Sequence, residues 1–167
     1  MIHAATRISG LLLATLLFGL LSACTVSFNG PQENQVISDP GDDAERKAAI
    51  RAAARFLKLL DQGRYEETWS LTGRYLHDTT SAKAWARVLR TARGVTGEYK
   101  SRDERLKAGF TETLEKGVPK GHYFVLSFNT EFTGGQANER VILNLENGEW
   151  RVVGYFAFKH WGAESDA

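Results

Sequence analysis

The sequence predicts an α+β fold, in which about three N-terminal helices pack on a curved antiparallel sheet, a cone-shaped roll of about four strands. Apolar residues recur at helical spacing in the first half of the folded body and alternate with period two in the second half. Asn147-Gly148 separates two alternating runs and predicts a two-residue hairpin turn. Helices followed by a meander of strands favour a sheet that is covered by helices on one face.

The first predicted helix spans "DDAERKAAIRAAARFLKLLDQG", with Asp42 or Asp43 as N-cap and Gly63 just past its end. At 100° per residue, one broad face is apolar: Ala49, Ala52, Ala53, Phe56, Leu59 and Leu60. The opposite side carries a basic stripe: Lys47, Arg51, Arg55 and Lys58. This stripe is interpreted as a solvated face, and the alternative is contact with anionic headgroups.

Two more helices are predicted over "RYEETWSLTGRYL" and "SAKAWARVLRTAR". Both segments are amphipathic, and their tryptophans, Trp69 and Trp85, are expected to pack rather than to bind a ligand. Three helices therefore precede the strands.

The strand region begins with "HYFVLSFNTEF", whose alternation places Phe124, Leu126, Phe128 and Phe132 on one face. A reversal is predicted at "TGGQ", 133–136, and a hairpin over "ERVILNLENGEWRVVGYFAF". An additional strand bent around Gly109 is predicted over 98–114. One face of the last strand is expected to carry Trp150, Val152, Gly154, Phe156 and Phe158.

The acidic residues of the strand region are expected to lie outside the core. Glu131 and Glu139 fall near predicted strand ends and are expected to face water, and the faces that look interior carry no acid. A general acid or base would need a carboxyl group or a histidine that points into an apolar pocket. The sequence therefore predicts no catalytic residue.

The first 23 residues are typical of a secretory signal peptide. Arg7 precedes an apolar run, 8–21, that is shorter than the roughly 20 residues that a membrane-spanning helix needs. Leu21-Ser22-Ala23-Cys24 resembles the lipobox of bacterial lipoproteins, in which the cysteine is lipidated on sulfur and becomes the mature N-terminus. The alternatives are a retained transmembrane helix and a chance cysteine in an ordinary signal peptide.

The predicted organisation is a signal peptide, 1–23, a lipidated flexible tether, 24–43, one α+β domain, 44–160, and a disordered tail, 161–167. Thr25, in place of Asp, is similar to the pattern of lipoproteins sorted to the outer membrane of Gram-negative bacteria. The expected location is therefore the periplasmic face of that membrane.

Composition and motifs exclude several classes of function. The net charge is +1, which gives no global field for nucleic acid. One cysteine excludes an internal disulfide or a thiolate metal cluster within the chain. The four histidines lack HExxH or HxxxH spacing, and the chain contains no GxSxG, GxxxxGK or GxGxxG motif. No metal and no cofactor is predicted.

The body of the chain resembles the bacterial family catalogued as domain of unknown function 4019 over roughly residues 45 to 158. The resemblance is carried by "ARFLKLLDQGRYEETWSL", Trp85, Ser101-Arg102, "GHYFVLSFNTEF" and "NGEWRVVGYF". It implies a secreted or lipid-anchored protein with a roll similar to nuclear-transport-factor-like or cystatin-like folds. It implies no activity and no catalytic residue.

The expected function is a lipid-anchored periplasmic binding or accessory domain, joined to the membrane by acyl chains on Cys24. Its ligand would be an envelope protein or a small apolar molecule, bound on the concave side of the sheet; the oligomeric state stays open. Two alternatives are a small acid–base enzyme with an aromatic pocket and a structural accessory of envelope assembly. The candidate ligand-binding residues are Trp85, Arg102, Tyr123, Phe128 and Tyr155.

Overall fold

A computed structural model of the chain describes residues 37–103 and 107–159. The signal peptide, Cys24, the first part of the tether and the tail at 161–167 lie outside the described residues. The helices are α1 (Asp43–Asp61), a 3-10 helix (Glu67–Leu71), α2 (Arg74–Thr79) and α3 (Ala82–Thr96). The strands are β1 (Tyr99–Arg102), β2 (Lys107–Thr111), β3 (Tyr123–Phe132), β4 (Gly135–Glu146) and β5 (Glu149–Lys159).

The predicted α+β class is confirmed, with one more strand than expected. The sheet is antiparallel in the order β1-β3-β4-β5, and β2 pairs with β3 on the same side as β1. The segment 98–114 thus forms two strands, not one. Gly109 lies inside β2 opposite Val125, and a Cβ on it would lie 2.5 Å from the carbonyl oxygen of Ile37. This glycine permits close backbone approach instead of a bend.

Helix α1 forms where its caps and apolar face predict it. The side chain of Asp42 accepts hydrogen bonds of 2.9 Å from the amides of Ala44 and Glu45, as an N-cap does. Leu57 is buried, whereas Leu59 is half-buried. The basic stripe of α1 is exposed.

The second predicted helix is divided into the 3-10 helix and α2. Thr72 and Gly73 between them are extended, and Thr72 forms a single parallel bridge with Val152 of β5. The amide of Gly73 donates a 2.8 Å hydrogen bond to the carbonyl oxygen of Val152. This pairing with the sheet interrupts a segment whose apolar spacing alone predicts one continuous helix.

The main core lies between the helices and the sheet. Its large buried side chains include Phe56, Trp85, Phe124, Leu126 and Trp150. A smaller apolar cluster lies on the opposite face of the sheet, around Tyr123, Val125, Ile142 and Val153. The helix-facing side is therefore filled by aromatic and aliphatic side chains.

The last hairpin confirms the predicted turn and corrects the predicted face of β5. Asn147 and Gly148 have φ of 51° and 80°, as a two-residue hairpin turn requires. A bulge follows in β5, because Leu143 pairs with Val152 and Ile142 with Gly154. Since the extra residue reverses the alternation, Val152 and Tyr155 belong to the main core while Phe156 packs on the opposite cluster. The prediction that 150, 152, 154, 156 and 158 share one face is wrong.

Part of the segment predicted as a tether packs on the sheet. The amide of Phe110 donates a 2.7 Å hydrogen bond to the carbonyl oxygen of Asp39, and Ile37 contacts the opposite-face cluster. Among the described helices, none combines the length and the apolar character that crossing a membrane requires.

Candidate functional site

A buried charge cluster joins α1, α3 and the sheet. It consists of Asp61 at the end of α1, Arg93 of α3, Arg102 of β1 and Glu139 of β4. The side chain of Glu139 is 0% exposed, that of Arg93 6%, and those of Asp61 and Arg102 14% each. Two carboxylates and two guanidinium groups leave the cluster formally neutral.

Glu139 is the centre of this cluster, which contradicts the expectation that it faces water. Strand β4 begins at Gly135, so Glu139 lies well inside it, between Phe128 of β3 and Ala157 of β5. The sequence contained a signal for this position. Alternation from the core residues Leu143 and Val141 back along β4 places residue 139 on the same face. Glu131 is exposed, as expected.

Both oxygens of Glu139 accept hydrogen bonds. Oε2 accepts from Thr130 Oγ1 at 2.5 Å and from Arg102 Nη2 and Nε at 2.6 and 2.9 Å. Oε1 accepts from the hydroxyl of Tyr155 at 2.7 Å and lies 3.0 Å from Arg93 Nη2. Both oxygens of this carboxyl group are therefore directed at groups of the protein itself.

The two arginines also share Asp61. Arg102 Nη1 donates to Asp61 Oδ2 at 3.0 Å, and Arg93 Nη2 donates to Asp61 Oδ1 at 2.6 Å. Burial alone would disfavour the charge on Arg102, but Asp61 and Glu139 outweigh that effect and raise its pKa above the usual value. Arg102 therefore stays charged inside the domain.

Tyr155 and Arg93 complete the surroundings of Glu139. Burial and the neighbouring Glu139 raise the pKa of Tyr155 well above its ordinary value, so its hydroxyl remains a proton donor. The Arg93 guanidinium lies 4.7 Å from the ring centre of Phe132. Its Nε and Nη1 are buried and make no hydrogen bond to the described residues.

An apolar cleft of about 250 Å³ runs along β5 and is here named the edge cleft. One wall comes from α2 and α3, through Tyr75, Leu76, Trp85, Val88 and Ala92. The other wall comes from Leu114, Glu115 and Val118 in the connection between β2 and β3. Ile142 and residues 153–158 line it from the sheet. Glu115 is the one lining residue with a formal charge among the described residues, so the cleft is suited to an apolar group.

The structure brings four of the five predicted ligand-binding residues to these two sites. Arg102 and Tyr155 both bind Glu139, and Phe128 lies 5.9 Å from the Arg102 guanidinium. Trp85 and Tyr155 line the edge cleft. Tyr123 lies elsewhere, in the opposite-face cluster, where its hydroxyl donates to the carbonyl oxygen of Pro119 at 2.7 Å.

Sequence reasoning missed Asp61, Arg93 and Glu139. Asp61 and Arg93 have no local signal, because each is one charged residue near the end of an amphipathic helix. Their meeting with Glu139 depends on how α1 and α3 cross the sheet.

The described histidines are engaged with other side chains. His77 Nε2 lies 2.9 Å from Thr72 Oγ1, and His122 Nε2 lies 2.7 Å from Glu45 Oε2. Within residues 37–103 and 107–159, no three His, Cys, Asp or Glu side chains are grouped so as to hold a metal ion.

The fold and its sites define a small α+β domain with a filled helix-facing core, an internal charge cluster and an apolar edge cleft. The chain belongs to the family described as Protein of unknown function (DUF4019), whose model matches residues 52–155, more than half of its length. This match confirms the family indicated by the sequence motifs, while the likeness to nuclear-transport-factor and cystatin rolls stays a prediction. No curated protein matches the chain, and no solved structure matches it.

Proposed function

We propose that this chain is a non-catalytic binding domain, held at the periplasmic face of the outer membrane by acyl chains on Cys24, and that the edge cleft is its binding site. The observation that carries the proposal is the edge cleft itself, which is lined almost wholly by apolar side chains. Its volume of about 250 Å³ lies just below the roughly 300–1,000 Å³ of sites for drug-sized ligands. It therefore suits a small apolar molecule or one or two apolar side chains.

The state of Glu139 supports binding over acid–base catalysis. A catalytic carboxyl group needs an accessible oxygen within hydrogen-bond reach of a substrate. The oxygens of Glu139 accept from Thr130, Arg102 and Tyr155, and this carboxylate does not line the edge cleft. We therefore assign the charge cluster a structural role, namely to join α1, α3 and β1 to the centre of the sheet.

The position of Ile37 supports an anchored arrangement in which the cleft lies close to the membrane. Ile37 packs in the same opposite-face cluster as Leu114, Val118 and Phe156, three residues that line the edge cleft. Twelve residues, 25–36, lie between Cys24 and Ile37, and a flexible tether of that length has an r.m.s. reach of about 20 Å. Lipid anchoring would thus keep the cleft near the membrane surface.

Binding at the cleft is tested with benzene, which enters apolar cavities of proteins. The full chain in lipid nanodiscs, with labelled Ile, Leu and Val methyl groups, would be titrated and followed by NMR. We expect saturable shifts for Val88, Ile142 and Val153, and none for Leu126 in the main core. Ala92→Phe places a ring in the cleft and should abolish these shifts, whereas the neighbouring exposed Thr91→Phe should keep them. Shifts that fail to saturate, or that survive Ala92→Phe, would remove the cleft as the site.

Anchoring is tested separately by detergent phase separation of cell extracts. We expect the wild-type protein in the detergent phase and at the density of the outer membrane. Cys24→Ala, or inhibition of the lipoprotein signal peptidase, should leave an unprocessed precursor. Mature wild-type protein in the aqueous phase would overturn the anchoring proposal and leave the cleft proposal standing.

A further inference from the structure

Helix α1 carries a stripe of exposed basic side chains without a counter-charge. Its members lie three or four positions apart and form one line of about 16 Å along the helix: Lys47, Arg51, Arg55 and Lys58. The segment 47–58 contains no acidic residue. Among the described residues, no salt bridge joins any of the four to an acid. The stripe is therefore a line of unneutralised positive charge.

This stripe works against the stability of the helix that carries it. Like charges three or four positions apart on a helix repel one another. Several exposed basic side chains elsewhere are paired with an acid, as Arg64 is with Glu67 and Arg90 with Glu66. The repulsion along α1 would be relieved by an anionic partner that is long enough to contact the whole stripe.

A polar groove of about 410 Å³ lies beside the stripe, between α1 and the β4–β5 turn, and is here named the basic groove. Its lining residues are Ala48, Arg51, Ala52, Arg55, Leu71 and 148–151. Glu149 is the one acid that lines it among the described residues, and Arg151 forms a salt bridge with this acid. The guanidinium groups of Arg51 and Arg55 thus remain available for an anion such as a phosphate, which matches the fork geometry of arginine.

We propose that the stripe and the basic groove dock on the headgroup layer of an anionic membrane, with lipid phosphates bound by Arg51 and Arg55. The length of the stripe favours a membrane surface over a free phosphate, because one small anion in the groove cannot also reach Lys47 and Lys58. This inference goes beyond the proposed function, since none of these residues lines the edge cleft. Acyl chains on Cys24 would hold the domain near the membrane, and docking would determine which side of it faces the lipid.

Docking is tested by NMR of the full chain in lipid nanodiscs, with labelled Ile, Leu and Val methyl groups and a nitroxide label on the lipid headgroups. One nanodisc contains phosphatidylcholine alone, and the other also contains phosphatidylglycerol. We expect the label to broaden the Leu71 methyl signals in the anionic nanodisc only. Val118, in the cluster on the opposite face of the sheet, should be broadened much less. Salt at about 1 M, where the screening length is about 3 Å, should remove the effect.

Two double variants show whether the position of the charges matters. Arg51→Gln combined with Arg55→Gln should lower the ratio of docked to undocked domain about 30-fold, since each basic residue near an anionic surface contributes about fivefold. Lys116→Gln combined with Lys120→Gln is the matched control. It removes the same charge from two exposed lysines in the connection between β2 and β3, and the broadening of Leu71 should persist. Equal losses in the two double variants would overturn docking through α1.

The same nanodiscs separate docking from the acyl anchor and from binding of a free anion. Co-migration of the protein with the neutral nanodisc reports the anchor alone. Co-migration without broadening of Leu71 in the anionic nanodisc would keep the anchor and overturn docking, whereas broadening without co-migration in neutral lipid would support docking without the anchor. Inorganic phosphate is added to the neutral sample. Saturable shifts of Leu71 there, with no broadening in anionic lipid, would assign the groove to a free anion and overturn the membrane as its partner.

Discussion

Arg102 Nη2 donates a 2.6 Å hydrogen bond to Glu139 Oε2, although the two residues lie on strands that flank β3 from opposite sides. Thr130 of β3 lies between them and donates to the same oxygen. Asp61 of α1 accepts a hydrogen bond from Arg102, so three charged side chains and Thr130 join a helix to three strands. The cluster fixes the position of α1 on the sheet, because a buried charged side chain without its partner is strongly destabilising.

Loss of the charge on Glu139 should strongly destabilise the domain. Glu139→Gln leaves Asp61 as the one carboxylate for two buried guanidinium groups. Removal of one partner from a buried ion pair costs about 3–5 kcal/mol. We expect that decrease in the free energy of unfolding, measured by urea denaturation.

An exposed ion pair provides the control for Glu139→Gln. Glu131 lies 3.4 Å from Lys100, with both side chains about half exposed. Glu131→Gln should change the free energy of unfolding by no more than about 0.5 kcal/mol. Equal losses for the two variants would contradict the structural role of the cluster.

Removal of a matched pair of charges should cost less than removal of one. Glu139→Leu leaves a net positive charge in the interior, whereas Glu139→Leu combined with Arg102→Met leaves the Arg93–Asp61 pair, which is neutral. We expect the double variant to be more stable than the single Glu139→Leu, with a coupling energy of about 1–3 kcal/mol in a double-mutant cycle. Additive losses would mean that the charges act independently.

The fold was predictable where local signals and tertiary structure agree. The Asn147-Gly148 turn, the N-cap at Asp42 and the alternation of Phe124 and Leu126 each depend on neighbours in sequence. The family match over residues 52–155 confirms the family that the motifs indicate.

The remaining features depend on contacts between distant residues. The bulge at Val153 reverses one face of β5, and nothing in the alternation of that strand alone reveals it. The prediction for Glu139 is wrong because the predicted hairpin begins at Glu139, whereas β4 begins at Gly135. Asp61 is identified only after α1 has been placed on the sheet.

Stability should fall at alkaline pH because of Tyr155. The pKa of Tyr155 is raised in the folded state by burial and by Glu139, whereas an unfolded tyrosine has a pKa of about 10. The folded state therefore retains a proton that the unfolded chain releases. The corresponding stability is present below pH of about 10 and is lost above it, with a slope of up to about 1.4 kcal/mol per pH unit.

Tyr155→Phe should make the decrease in stability at alkaline pH less steep. It should also lower the free energy of unfolding at neutral pH by about 1–3 kcal/mol, since Glu139 loses a hydrogen-bond donor. Urea denaturation at a series of pH values measures both effects. Burial, Glu146 and Tyr75 also raise the pKa of Tyr123, but less than the pKa of Tyr155 is raised, so Tyr123→Phe should flatten the curve less. A steeper curve for Tyr155→Phe than for wild type would contradict the assignment.

The packing of Trp85 depends on one hydroxyl. Trp85 Nε1 donates to Thr68 Oγ1 at 3.0 Å, and Thr68 is fully buried. Thr68→Val keeps the shape but leaves the indole N–H without an acceptor, at a cost of about 1–3 kcal/mol in the free energy of unfolding. Thr79→Val is the control, because that hydroxyl is exposed on α2. We expect a change of no more than about 0.5 kcal/mol there.

The same chemical change at two glycines should have opposite effects on stability. Gly148 has φ of 80° in the β4–β5 turn, whereas Gly94 lies in α3 and is absent from the positive-φ glycines of the described chain. A Cβ would meet no atom within 4 Å at either position, so backbone conformation alone decides the outcome. Gly148→Ala should lower the free energy of unfolding by about 1–2 kcal/mol, because alanine is strained in the left-handed region. Gly94→Ala should raise it by about 0.5–1 kcal/mol, and a common sign for both in thermal or urea denaturation would contradict the turn geometry.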